Sequence, residues 1–367
     1  MDKNTRYTVI GAGNGGKAMA AYLALEGFQT TMFNRTLSHI EIIRERGGID
    51  LENPSEPRGF GKLYKVTDNM EEALKDSNVI MVVVPSTAHA DIARMAAPFL
   101  REDHIVILHP GRTGGALEFR QAMIEEGFEP KPIIAEAETF IFAARSDGPS
   151  QARIFRVKEA VPLAALPAIR TQEVLDAIHP AFPQFIDGKN VLSTGLNNMG
   201  AIFHPALALL NSGWIEATSG DFQFYVDGVT PSVAKVLEVI DRERVTVASA
   251  LGLRGRTALE WLELAYNARG ETLHEAMHNQ PGYYGIKAPG TLSHRYITEE
   301  IPMSLVPIAS FAKTFGVSVN GIESIINLAC YIHSTDYRRK GRTVAKLGIK
   351  GLSVGELMKF VETGERD

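Results

Sequence analysis

Apolar residues in the first half of the chain fall in short, nearly unbroken runs, whereas in the second half they recur at helical spacing. Segments such as SNVIMVVVPS and EDHIVILHPG are nearly continuous β-branched runs bounded by turn residues, the pattern of strands buried on both faces of a parallel sheet. They alternate with helical patterns, so the first half predicts strands at Thr8–Ile10, Gln29–Phe33, Val79–Val84, His104–His109 and Pro132–Glu136 with covering helices. From about Leu192 the pattern becomes long and helical. In TPSVAKVLEVIDRERVTVASALGL, Thr230 supplies an N-cap, Pro231 a first-turn proline, and Gly252 lies near the C-terminal end. A boundary in QFIDGKNVLS divides the chain into 1–190 and 191–367, an α/β domain followed by a mostly α-helical C-terminal domain.

The stretch VIGAGNGGKAMA fits two phosphate-binding templates. A P-loop needs Ser or Thr after its lysine to ligate magnesium, and Lys17 is followed by Ala18; nor does an acidic residue end the later apolar strands. The dinucleotide template asks for a strand before the loop, a helix after it and a ribose-reading residue about 20 positions on. Gly11 makes the tight turn, Gly13 lets a pyrophosphate approach the backbone, and Gly16 lets the helix pack on the strand, so the first domain is expected to be a Rossmann dinucleotide-binding domain. Asn14 in the loop and Pro85 beyond the strand VVVPS join the candidate cofactor-binding residues. The second strand runs into Asn34, Arg35 and Thr36 where an NAD site places an acid. An arginine pairs with a 2'-phosphate that a carboxylate would repel, so NADPH is expected, with NADH as the alternative.

Charge and composition narrow the partners. Thirty-eight basic and forty-three acidic residues leave a net charge of -5 with no basic block, which argues against nucleic acid and for small-molecule substrates. One cysteine, Cys330, precludes an intrachain disulfide, no signal-peptide pattern precedes the first strand, and no apolar run approaches a membrane span. A cytoplasmic protein is expected, with a homodimer as an admissible assembly.

Reacting ligands in open α/β sheets lie beyond the carboxyl ends of the strands, here VPSTAH, HPGRTGG and AEAETF, which makes Arg112 a candidate to meet an anionic substrate. In STGLNNMGAIFHPALALLN, Leu196, Phe203, Leu207 and Leu210 predict a packing face. Asn197, His204 and Asn211 share another face with the small residues Gly200, Ala201 and Ala208. Asn197 and Asn198 are candidate substrate ligands. His204 is the candidate proton-transfer group, and Pro205 is expected to break or start the helix beside it. A literal H-E-x-x-H occurs at His274, Glu275 and His278, but Pro281 and Tyr284 stand where its extended form needs glycine and histidine. No metal is expected.

The segments GAGNGGKAMAAYLAL, HPGRTGGALEF, FHPALALLN, FYVDGVTPSV, HRYITEEIPMSLVPI and DYRRKGRTVAKLGI together resemble the octopine/nopaline, or opine, dehydrogenase family over essentially the whole chain. That resemblance implies NAD(P)H-dependent reductive condensation of a 2-oxo acid, often pyruvate, with the amino group of an amino acid, through an imine. It places the catalytic histidine on His204, the substrate-side arginine on Arg295, and the acidic partner of the histidine on Glu300, with Glu299 as fallback. The family's usual aspartate is a glutamate here. The rival readings are a 2-oxo acid reductase of the ketopantoate type, a non-catalytic NADPH-binding sensor and, more distantly, a zinc hydrolase.

Overall fold

A computed structural model describes residues 4–366 of the chain. Its strands are β1 (Arg6–Ile10), β2 (Gln29–Phe33), β3 (Gly48–Glu52), β4 (Gly59–Lys62), β5 (Lys65–Thr67), β6 (Val79–Val82), β7 (Ile105–Leu108), β8 (Ile133–Ala137), β9 (Phe142–Gly148), β10 (Gln151–Val157), β11 (Val161–Leu166) and β12 (Phe185–Asp187). All five predicted strands are present, with ends moved by up to two residues. They lie in an eight-stranded sheet of order β12, β11, β8, β7, β6, β1, β2, β5. Neighbours are parallel except β11, which runs antiparallel to β8 and closes that side with β12. β1 has β2 on one side and β6 on the other. The strand order reverses there, and a crevice opens beyond the carboxyl ends of strands at such a point.

A second sheet, β4, β3, β10, β9, had no counterpart in the sequence reading. Its hairpin β9–β10 alternates buried and exposed residues and carries four charged side chains, Arg145, Asp147, Arg153 and Arg156, so it lacks an apolar run. This sheet explains why the helix Asn14–Leu25 is buried continuously from Gly16 to Leu23. One side of the helix faces the large sheet and the other the small one, where a Cβ at Gly61 would come within 2.7 Å of the Ala21 carbonyl oxygen.

The residues up to Thr194, together with those from Gly355 on, form one compact unit, and Gly195–Val354 forms the other. The expected division assigned everything after residue 190 to the helical part. The helix Val354–Thr363 instead joins the first unit: Leu357, Phe360 and Val361 are buried, and the Arg120 guanidinium lies over the Phe360 ring at 5.1 Å.

The second unit is helical, and its longest element is Pro231–Ala250, with the Thr230 side chain accepting the Val233 N–H and Pro231 in the first turn, as the sequence indicated. Gly252 follows with φ +74°. A buried ion pair on this helix ties separate segments together. Arg244 donates to Asp241 at 2.6 Å and to the Leu196 carbonyl at 2.5 Å, also bonds the Arg256 carbonyl, and Asp241 accepts the Ala258 N–H at 2.7 Å. Such a pair is tolerable inside a protein because hydrogen bonds satisfy its remaining donors and acceptors.

Candidate active site

In the first unit, the glycine loop follows β1 at the strand reversal. A Cβ at Gly11, which has φ +112°, would lie 2.3 Å from the Val83 carbonyl oxygen, and one at Gly16 would lie 1.8 Å from the Gly11 carbonyl oxygen. Neither position admits another residue without moving backbone. Gly13 is different: it is exposed, and a Cβ there would meet nothing within 4 Å, so its substitution would fill only the space in front of the helix. No side chain caps the helix Asn14–Leu25, whose first-turn N–H groups are therefore available to an anion. The loop thus fits a dinucleotide pyrophosphate.

Asn34 holds this edge together. Its Oδ1 accepts the Ala12 N–H at 3.2 Å and its Nδ2 donates to the Thr36 carbonyl at 3.0 Å. Arg35, Thr36 and Pro85 are exposed at the same end of the sheet. Asn14 has a supporting part: its Oδ1 accepts the Ser146 N–H at 3.1 Å. Lys17 turns to the β9–β10 hairpin, donating to Ser146 Oγ and the Gly148 carbonyl, each at 3.0 Å, and burial lowers its pKa. It is an early-helix anchor for the hairpin.

Beyond β7 and β8, Arg112 is buried with φ +58°, not a solvent-facing loop arginine. Glu136 accepts the Ala116 N–H and the Thr194 hydroxyl, both at 2.8 Å, so it caps one helix and fastens another.

In the second unit, the helix Gly200–Leu210 carries His204, and Pro205 sits inside it without ending it. Proline removes one N–H from the ladder, and the helix survives because Ile202, Phe203, Ala206, Leu207 and Ala208 are buried around it. Two expectations for this helix need correction. Leu210 is exposed rather than part of the packing face, and the small residues Ala201 and Ala208 are fully buried instead of lining an open stripe. Asn211 donates to the Leu207 and Gly228 carbonyls, which makes it structural.

His204 Nδ1 lies 2.8 Å from Glu300 Oε1, with the histidine side chain 18% exposed and the glutamate 1%. Glu300, not Glu299, is therefore the partner. Ser304 Oγ donates to Glu300 Oε2 at 2.7 Å, and Asn198 Nδ2 donates to Ser304 Oγ at 2.9 Å. An ionised carboxylate only accepts, so Nδ1 carries the imidazole proton, and Nε2 is the ring nitrogen that does not face Glu300. Glu300 and Ser304 are four residues apart and share one helical face; the residues Ile301–Leu305 form a π-helical turn entered at Glu300. The Pro302 carbonyl in that turn accepts the Arg342 N–H at 3.0 Å, and a Cβ at Gly341 would lie 2.7 Å from that carbonyl oxygen.

Tyr296 stacks on the His204 ring at 4.1 Å with the planes 12° apart. Tyr225 hydrogen-bonds Tyr296, and burial first, then the neighbouring tyrosines, pushes its hydroxyl pKa up. Burial, with Arg295 and His204 nearby, lowers the pKa of His294. Tyr296, Tyr225 and Ser304 had not been singled out from sequence. Arg295 begins a short helix with its side chain exposed. Asn197, expected to bind substrate, is buried and accepts the Arg256 N–H at 3.0 Å; Asn198 accepts the Gly200 N–H at 3.1 Å besides its bond to Ser304. Both asparagines hold the protein's own groups.

The H-E-x-x-H segment is accounted for locally. Glu275 accepts the Glu271 N–H at 2.8 Å, and His278 Nδ1 donates to the His274 carbonyl at 2.8 Å. Among the described residues no group of three or more His, Cys, Asp or Glu is arranged to hold a metal ion. No described helix is long and apolar enough to cross a membrane.

Residues 187–333 match the family model "NAD/NADP octopine/nopaline dehydrogenase, alpha-helical domain", and residues 6–135 match the N-terminal model of NAD-dependent glycerol-3-phosphate dehydrogenase. An opine dehydrogenase of Arthrobacter sp. (strain 1C) is 37% identical over 99% of this chain and 100% of its own length. The chain belongs to the opine dehydrogenase family. Like the family, it is an NAD(P)-dependent oxidoreductase acting on C–N substrates. The ocs protein of Agrobacterium tumefaciens (strain Ach5) is 24% identical over 96% of this chain and 98% of its own. An octopine dehydrogenase solved with NADH and agmatine has the same fold, with TM-score 0.82, 18% identity and 99% of both chains covered. A yersinopine dehydrogenase solved with NADP+ has TM-score 0.76 at 14% identity, again over 99% of both chains.

Proposed function

We propose that the protein condenses a 2-oxo acid, pyruvate by first choice, with the amino group of an amino acid and reduces the resulting imine, using His204 as its proton-transfer residue. Amine and ketone carbonyl form a C=N bond with loss of water. Bound NAD(P)H supplies the hydride that reduces the C=N carbon. His204 Nε2 exchanges a proton with the substrate nitrogen, and Glu300 orients the ring and stabilises its protonated form. The exposed guanidinium of Arg295 takes a substrate carboxylate as a bidentate partner, and Arg112 takes another. The single observation that carries this reading is the 2.8 Å pairing of His204 Nδ1 with a buried carboxylate in a chain of this family.

Gly11, Gly13 and Gly16 would hold the cofactor pyrophosphate. Arg35 and Thr36, with no acid beside them, support NADPH over NADH. The single cysteine supports a reducing, cytoplasmic setting. NADPH oxidation by the purified protein with pyruvate, in the presence and absence of an amino-acid panel, tests the reading. Oxidation that needs the amine supports it, and equal oxidation without the amine points instead to a simple 2-oxo acid reductase.

A further inference from the structure

We propose that Tyr296 is the positioning residue for His204: its ring is the platform that fixes the imidazole plane and stabilises the protonated form. The assignment rests on the proton-transfer role proposed above and uses residues of the second unit alone. The Thr298, Glu299 and Met303 N–H groups bond the His294, Arg295 and Glu299 carbonyls, each at 3.0 Å, so helical hydrogen bonding runs through this segment. Tyr296, Glu300 and Ser304 follow one another at intervals of four residues and share one face of it. All three serve His204. The Tyr296 ring covers its face at 4.1 Å, Glu300 holds Nδ1 at 2.8 Å, and Ser304 holds the far oxygen of Glu300 at 2.7 Å. Neighbours in a helix point about 100° apart, so Arg295 exposes its guanidinium while Tyr296 turns to the histidine.

A platform answers a specific need. One hydrogen bond fixes one point of an imidazole, and the torsion that turns the ring is soft. Contact across the ring face removes that freedom, and planes only 12° apart make this a flat stack rather than an edge contact. A stack takes no hydrogen bond from either nitrogen, so it orients the ring without competing for the proton. The face of an aromatic ring is also electron-rich and attracts a cation. As a proton passes between His204 and the substrate nitrogen, the tyrosine face favours the state in which the histidine holds it, as Glu300 does from the edge.

Tyr296 is itself held. The fully buried Phe224 ring lies 5.2 Å from it with planes 22° apart, and the His294 ring meets it at 4.4 Å with planes 84° apart. His294 Nδ1 also accepts the Tyr296 N–H at 3.4 Å. A tyrosine that only filled the core would be enclosed. This ring is half-buried, and of these three rings the imidazole lies nearest to it.

Wild type, Tyr296→Phe, Tyr296→Leu and His204→Gln are compared by NADPH oxidation with pyruvate and the most active amine of an amino-acid panel. Proton NMR of histidine-labelled protein runs alongside, with the His204 ring signals assigned by their loss in His204→Gln. Tyr296→Leu should lower kcat by about tenfold or more while KM values for pyruvate, amine and NADPH stay within about twofold. Tyr296→Phe gives up the hydroxyl bond to Tyr225 but keeps the ring face, and its kcat should stay within about threefold of wild type. The His204 ring protons should be shifted upfield by the stacked ring in wild type and Tyr296→Phe, and should move downfield in Tyr296→Leu. A merely structural tyrosine would give neither the kcat-specific loss nor the rescue by phenylalanine. A kcat in Tyr296→Leu within about twofold of wild type, or a loss in Tyr296→Phe as large as in Tyr296→Leu, overturns the proposal. If Tyr296→Leu does not fold, a trifluorinated phenylalanine at position 296 decides, because it keeps the ring's shape and withdraws charge from its face. Its kcat should fall about threefold or more below that of Tyr296→Phe, and equal values overturn the proposal. Turnover near wild type in His204→Gln overturns the proton-transfer reading and the positioning role with it; loss in His204→Gln without loss in Tyr296→Leu overturns the positioning role alone.

Discussion

Glu300 Oε1 accepts the Nδ1 hydrogen of His204 at 2.8 Å from a position that is 1% exposed. Its second oxygen, Oε2, accepts the Ser304 hydroxyl at 2.7 Å from one helical turn further on. The polarity of the chain runs one way, from the Asn198 amide through Ser304 to the carboxylate.

Removing the charge should hurt turnover more than shortening the side chain. Glu300→Gln should lower kcat by about 100-fold and Glu300→Asp by about tenfold, both with little change in cofactor affinity. Steady-state kinetics with NADPH as the varied substrate measures the split. Wild-type kcat in Glu300→Gln would remove the carboxylate from the account.

Ser304 is fully buried and both accepts from Asn198 and donates to Glu300. Ser304→Ala leaves a buried amide and carboxylate each short of a partner, which should cost about 2 kcal/mol of stability. Urea denaturation measures that loss. The orientation of Glu300 should loosen as well, so kcat should fall by several-fold while substrate KM values hold.

Arg35 is exposed and tests cofactor choice without touching the second unit. Arg35→Asp should lower kcat/KM for NADPH by about 100-fold and leave that for NADH nearly unchanged, since the new carboxylate repels a 2'-phosphate. Parallel kinetics with both cofactors check this, and an unchanged NADPH preference would assign the selection elsewhere.

Acid should destabilise the first unit through two buried histidines. Burial lowers the His109 pKa to about 3 and the His104 pKa to about 4, from 6.5 for each. Between those values the unfolded chain binds protons that the folded one does not, so stability is complete above about pH 6.5 and is lost as pH falls below it. Each histidine should remove about 2 kcal/mol by pH 5. His104→Asn keeps an acceptor for the Arg101 N–H, which His104 Nδ1 now accepts at 3.1 Å, and should flatten the dependence of denaturation midpoint on pH.

The parts of this molecule legible in sequence are those set by local pattern. The buried strands, the Gly11 to Gly16 turn and the Thr230–Pro231 helix start each follow from residues adjacent in the chain. The pairing of His204 with Glu300 spans 96 residues, and it came from family resemblance, not from spacing. Ser304 lies four residues after Glu300, on the same helical face, but a lone serine in an apolar run carries no sequence signal of its bond to that carboxylate. Asn197 and Asn198 looked like ligands because polar side chains beside a candidate histidine do; burial instead commits them to Arg256 and Ser304. The hairpin β9–β10 was missed because a half-exposed strand rich in arginine resembles a loop.

The central claim is that His204 moves the proton. The most direct test is His204→Gln, assayed for turnover with pyruvate and an amino acid and, on the same preparation, for NADPH binding by fluorescence. Turnover should fall by about 100-fold or more while the NADPH dissociation constant stays within about twofold of wild type. Turnover near the wild-type rate, or an equal loss of NADPH binding, would contradict the account.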